Sequence, residues 1–218
     1  MELLQLSLLG GVLALDATSV GQFMVSRPLV AGALTGWLLG APETGLAVGA
    51  ILELYLLVSF PTGGSRFPEG ATASVVAAAA VGDGSAGAFA LAVAAGLLWG
   101  QFAGETVTWL RRVNARLVPD PATGPITGAR LTAAHLGAVA VDFARGAVVT
   151  VVGVALARPF VNGLSESWPL TQDTTLGLLL VGAAVSVGIL LRDFGGFRRR
   201  AAVFLAGLVL AVIGARIL

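Results

Sequence analysis

The chain has 218 residues, of which 56% are hydrophobic and 11% charged, and its 13 basic residues nearly balance its 12 acids. A water-soluble domain of this length carries about a quarter charged residues, so this composition, with a mean hydropathy of +0.91, excludes an ordinary soluble protein and points to the bilayer as solvent. A net charge of +1 gives no electrostatic footprint for nucleic acid, and the absence of cysteine excludes disulfides, thiolate metal sites and a Cys nucleophile.

Met1-Glu2 precede the first apolar run without a basic residue. A cleavable signal begins with positive charge, so these residues read as mature protein. Apolar runs follow at Leu3–Val25, Leu29–Leu39, Thr44–Phe60, Ala71–Val81, Ser85–Ala103, Leu131–Ala157, Thr174–Leu191 and Ala201–Leu218. A full span needs about 20 apolar residues. The last four runs approach or exceed that length. Before residue 84 the runs after Leu3–Val25 are shorter, and Pro28, Pro42, Pro61 and Pro68 interrupt the sequence there. Such backbone is tolerated in a membrane where it is buried in protein or lines a cavity, and transporters place substrate there. The expected fold is therefore an all-α integral membrane protein, a polytopic helix bundle with broken or re-entrant helices in its N-terminal third. Residues 1–218 read as a single transmembrane unit, with 1–83 as the broken-helix substrate region and 84–218 as regular spanning helices.

Gly32, Gly36 and Gly40 recur every four residues, and Gly45 and Gly49 continue the spacing after Pro42. They predict close helix-packing faces. The polar connection at 104–130 holds Arg111, Arg112, Arg116 and Arg130, and that at 192–200 holds Arg192, Arg198, Arg199 and Arg200. The positive-inside rule puts both in the cytoplasm, with the 158–173 loop and the C-terminus outside.

Charged groups within apolar runs are expensive and are the candidates for function. Asp16, Ser19 and Gln22 fall at successive i, i+3 positions and predict one polar stripe on a helix, and Arg27 precedes Pro28, where the backbone is expected to unwind. Asp16 neutralised by Arg27 is the bland alternative. Glu53 has no base near it in sequence. Its two carboxylate oxygens suit the neighbouring hydroxyls of a sugar, with Tyr55, Trp37 or Phe23 as an aromatic face. A Glu53 pair with Arg27 or Arg66 is the structural alternative. Phe60–Gly70 lacks the Lys of a phosphate loop and reads as a re-entrant tip or an exposed turn. Asp142 and Arg145 stand at i, i+3 on one span and predict a self-neutralising pair, with His135 seven residues earlier. A lone His without Cys makes neither a metal site nor a hydrolytic triad.

The stretch from Leu15 to Gly40, LDATSVGQFMVSRPLVAGALTGWLLG, resembles the N-terminal region of the IIC subunit of the mannose/fructose/sorbose family of bacterial phosphotransferase systems. Glu43–Leu54 is similar to the same family, including the carboxylate at Glu53, and Pro61–Glu69 matches more loosely. The resemblance implies a sugar permease of the bacterial cytoplasmic membrane that is not itself phosphorylated and needs no cofactor. It implies a second membrane subunit, IID, and cytoplasmic IIA and IIB proteins that pass phosphate to a hexose-type sugar. It places the sugar near Asp16, Gln22, Arg27 and Glu53. Two other readings remain: a regulatory membrane scaffold docking IIB-like proteins through the Arg-rich segments, and an ion-coupled transporter using Asp142, His135 and Arg145.

Overall fold

The computed structural model describes residues 1–59, 65–82, 84–196, 198, 201–207 and 209. The helices in chain order are α1 (Glu2–Thr18), α2 (Pro28–Leu38), α3 (Pro42–Leu56), α4 (Gly70–Ala80), α5 (Ala86–Leu117), α6 (Gly128–Leu164) and α7 (Gln172–Asp193). Residues 201–207 are also helical, and no strand occurs among the described residues. The molecule is an all-α membrane bundle. Among the described residues, three helices, α5, α6 and α7, are long and apolar enough to cross a bilayer.

Pro28 and Pro42 act as helix starters rather than kinks. They occupy the first turns of α2 and α3, where their fixed φ suits the helix and no N–H is lost. Gly40, at φ 75°, turns the chain between them, a conformation that penalises a side chain. It therefore leaves the packing face predicted for it. The other glycines form that face. A Cβ on Gly32 would lie 2.5 Å from the Gly45 carbonyl oxygen, and one on Gly36 would lie 2.8 Å from the Gly45 Cα. The α2–α3 hairpin thus packs backbone to backbone.

Helix α4 is the centre of the bundle. All ten residues from Ala71 to Ala80 are buried, as expected of a short helix that is small and apolar all round. Helix α1 runs antiparallel to α6: Glu2 pairs with Arg158 at one end, Thr18 meets Asp142 at the other, and Gly10, Gly11 and Gly146 sit at the crossing.

The expected polar connection at 104–130 is corrected. No proline interrupts the chain until Pro119, and α5 continues through Leu117, so Arg111, Arg112 and Arg116 ride on a helix. Its 32 residues and the 37 of α6 extend about 48 and 55 Å at 1.5 Å per residue. The hydrocarbon core is about 30 Å thick, so both helices outrun it. Residues 60–64 of the predicted re-entrant tip, Arg199, Arg200 and most of the run at 201–218 lie outside the described residues.

Candidate functional site

Helix α1 stops at Thr18, and residues 19–27 leave it as irregular backbone. The Asp16 carboxylate organises this loop by accepting the Phe23 N–H at 2.6 Å and the Ser26 N–H at 2.7 Å. Gln22 and Met24 adopt positive φ, at 54° and 65°, so the chain doubles back tightly enough for one carboxylate to reach both amides. The polar stripe predicted for Asp16, Ser19 and Gln22 is therefore corrected: only Asp16 is helical, because the loop turns before Gln22. Asp16 is also not neutralised by Arg27.

Arg27 is the extended residue that leads into α2, and its guanidinium pairs with Glu53 of α3. The second Glu53 oxygen faces the Leu29 N–H at 3.4 Å, near the positive end of α2. Both side chains line a cavity of about 90 Å³ with Ser26, Ser59, Phe67 and Glu69. The pair is only partly covered, with 33% of Arg27 and 17% of Glu53 exposed. A carboxylate has about four lone-pair sites and a guanidinium five N–H donors, so capacity remains on both for a polar ligand.

Behind this cavity lies a buried ionic set. Arg145 donates to both Glu69 oxygens at 2.9 and 3.0 Å, to Asp142 Oδ1 at 3.0 Å and to the Thr106 hydroxyl at 3.0 Å. Thr72 donates to Glu69 at 3.1 Å, and Thr18 and Ser19 donate to Asp142. The expected Asp142–Arg145 pair exists, yet it is not self-contained. Glu69 completes it from 76 residues away in sequence, holding the start of α4 to α6. Its backbone N–H also donates to the Gly100 carbonyl of α5 at 2.9 Å. His135 is exposed and stands apart from this buried set.

A second cavity, of about 240 Å³, is lined by Ala17, Thr18, Ser19, Gln22, Phe67, Val107, Leu110, Arg111 and Asn114. Ala17 and Phe67 line both cavities. Arg111 anchors the partition: its guanidinium lies 5.7 Å from the Phe67 ring centre and donates to the Ser65 carbonyl at 2.9 Å.

The four expected site residues thus separate. Arg27 and Glu53 meet in the first cavity, Gln22 lines the second, and Asp16 holds the loop between them. None of the aromatic candidates lines either cavity. Phe23 and Trp37 are exposed, and Tyr55 packs against Gly182 of α7. Phe67 takes that place instead. Glu69 is the residue missed from sequence. Its signal was an acid at the start of a small, largely apolar helix, masked in the sequence by Arg66 three residues earlier, which instead pairs with Glu105.

Comparison with known proteins gives a consistent picture. The family model of the PTS system sorbose-specific IIC component matches residues 1–215. The chain is 29% identical over 175 residues to the sorbose-specific EIIC components of the PTS systems of Lacticaseibacillus casei and Klebsiella pneumoniae. The alignments cover 76% of this chain and 60% and 62% of those proteins, so the chain spans about three fifths of the curated relatives it matches. A solved structure described only as a membrane protein superposes with a TM-score of 0.73 at 16% identity, covering 99% of this chain and 92% of that one. The cryo-electron microscopy structure of the mannose transporter ManYZ with microcin E492 superposes with a TM-score of 0.54 at 18% identity, at the same coverages. These two likenesses show a shared fold.

Proposed function

Because the chain belongs to the sorbose-specific IIC family of phosphotransferase systems, whose members are sugar-specific permease components, we propose that it binds a hexose-type sugar at the Arg27–Glu53 cavity and carries it inward for phosphorylation. The observation that carries this reading is a charged pair, partly covered, at the meeting of two broken helices. The carboxylate accepts from one sugar hydroxyl while the guanidinium donates to its neighbour, a two-point recognition that a vicinal diol satisfies. Asp16 acts on the same site by shaping the loop that presents Ser26 and Arg27.

The chain crosses the bacterial cytoplasmic membrane several times, and its arginine-bearing α5 and α6 ends face the cytoplasm. There they outrun the hydrocarbon and offer a docking place for IIB, which with IIA supplies the phosphate. A IID subunit completes the membrane complex. The chain works as one transmembrane unit and performs no phosphoryl transfer of its own.

The test is sugar binding and uptake by the chain reconstituted with its IID partner. Glu53→Gln removes the charge from a charge-assisted hydrogen bond of about 1.5–3 kcal/mol, which corresponds to a loss of affinity of roughly 10- to 100-fold. Asp16→Asn is expected to lower uptake through the loop. Unchanged affinity and uptake in both variants would sink the assignment.

A further inference from the structure

We propose that the second cavity is a sugar subsite in its own right, a polyol-binding chamber that receives the sugar from the Glu53 cavity on its way to the arginine-rich side. This rests on the reading that Glu53 binds sugar. Size is the first argument. The second cavity is about 240 Å³ against about 90 Å³ for the first, and pockets for drug-sized ligands begin near 300 Å³. A monosaccharide is smaller than such a ligand and matches the larger chamber.

Chemistry is the second argument. The Asn114 side-chain oxygen is buried and has no hydrogen-bond partner among the described residues. A buried acceptor without a donor is costly and needs a reason. A neutral hydroxyl brings the missing proton, whereas a fully ionised phosphate has none to give. Ser19 donates its hydroxyl proton to Asp142, and Thr18 has Asp142 and the Ala14 carbonyl as acceptors for its own, so both oxygens can accept from a ligand hydroxyl. Gln22 can donate and accept, and Arg111 keeps donors beyond its bond to Ser65. The wall thus offers both acceptors, on Asn114, Gln22, Thr18 and Ser19, and donors, on Arg111, Gln22 and Asn114, as suits a polyol.

Placement is the third argument. The segment at 67–69 packs against Gly100 and Gly104 of α5. Val107, Leu110, Arg111 and Asn114 follow on the next turns toward Arg112 and Arg116. The second cavity therefore lies one step nearer the arginine-bearing end. A hydrogen-bonded chain joins the two chambers: Glu69 lines the first, Thr18 and Ser19 line the second, and Arg145 with Asp142 connects them.

The chain has no cysteine, so Asn114→Cys creates a single reporter thiol. The full chain, reconstituted with its IID partner, is treated with a maleimide in the presence of hexoses, hexosamines and their 6-phosphates. The expected result is that the sugar bound in a Glu53-dependent way slows labelling of Asn114→Cys several-fold, while the exposed neighbour in Ala115→Cys labels at an unchanged rate. A Glu53-dependent sugar that leaves Asn114→Cys unprotected overturns this proposal alone, as does protection by the sugar phosphate only. A sugar whose binding ignores Glu53→Gln overturns the first-cavity reading and this proposal with it. In uptake assays, Asn114→Leu is expected to lower turnover about tenfold while binding through Glu53 persists, and unaltered turnover again overturns the proposal.

Discussion

Replacing Arg145 by Met removes one cation from between two buried carboxylates. Glu69 loses a two-point partner held at 2.9 and 3.0 Å, and Asp142 loses its partner at 3.0 Å. Glu69 and Asp142 are 1% and 0% exposed, so water cannot replace the guanidinium. Removing one partner of a buried pair costs about 3–5 kcal/mol, because a charge is left uncompensated. For a chain of this length, each kcal/mol shifts the melting temperature by roughly 2–4 °C, so the expected loss is about 6–20 °C. Glu69→Gln is the informative contrast. It leaves Asp142 and Arg145 balanced, and its expected cost is about 1.5–3 kcal/mol, that of one charged hydrogen bond. The assay is thermal unfolding of the detergent-solubilised chain, followed by the fluorescence of its four tryptophans. The reasoning fails if Arg145→Met melts within a degree or two of the wild type. It also fails if Glu69→Gln is the more damaging of the two.

Other perturbations read other parts of the fold. Gly36→Val should disrupt the α2–α3 hairpin by at least 1–3 kcal/mol, roughly the cost of overpacking, since its Cβ would meet the Gly45 Cα at 2.8 Å; loss of uptake with normal membrane insertion is the readout. Asp16→Ala leaves two amides without their acceptor, at about 1–3 kcal/mol each if they stay buried, and should raise protease sensitivity within 19–27, whereas Asp16→Asn should retain part of the protection. Gln22→Gly suits the positive φ of that residue but deletes the amide, so uptake falls while that loop keeps its wild-type protease resistance; a loop that opens as in Asp16→Ala would contradict this. Ser85→Ala removes the hydroxyl that accepts the Ala88 N–H at 3.4 Å at the start of α5, and about 0.5–2 kcal/mol of stability should go with it, measured by the same melting curve.

Composition and hydropathy made the membrane class and the broken N-terminal third legible, because those depend on local patterning. Glycine spacing made the hairpin seam legible for the same reason. The partners of the charges were harder. Arg27 with Glu53 was one of two pairings left open, since 26 residues separate them and a hairpin had to be assumed. Glu69 with Arg145 was invisible, because nothing local links the start of α4 to the middle of α6. Gln22 was misplaced for a different reason: period 3.6 holds only while the helix lasts, and α1 ends at Thr18. The connection at 104–130 was overdrawn because its arginines were read as a loop, although polar residues continue a helix readily once it leaves the membrane.

The seam between α2 and α3 has a mechanical consequence. Where backbones touch, no rotamers are available to repack, and the layer has no soft material in it. Arg27 and Glu53 both belong to this hairpin, so their pair travels with it as a fixture. The opposite wall is built differently, from the Phe67 side chain leaning on the α5 guanidinium of Arg111. On the proposed sugar pathway, the backbone that carries the charged pair is then the stiff wall, and the ring and the arginine opposite it are side chains whose rotamers can change.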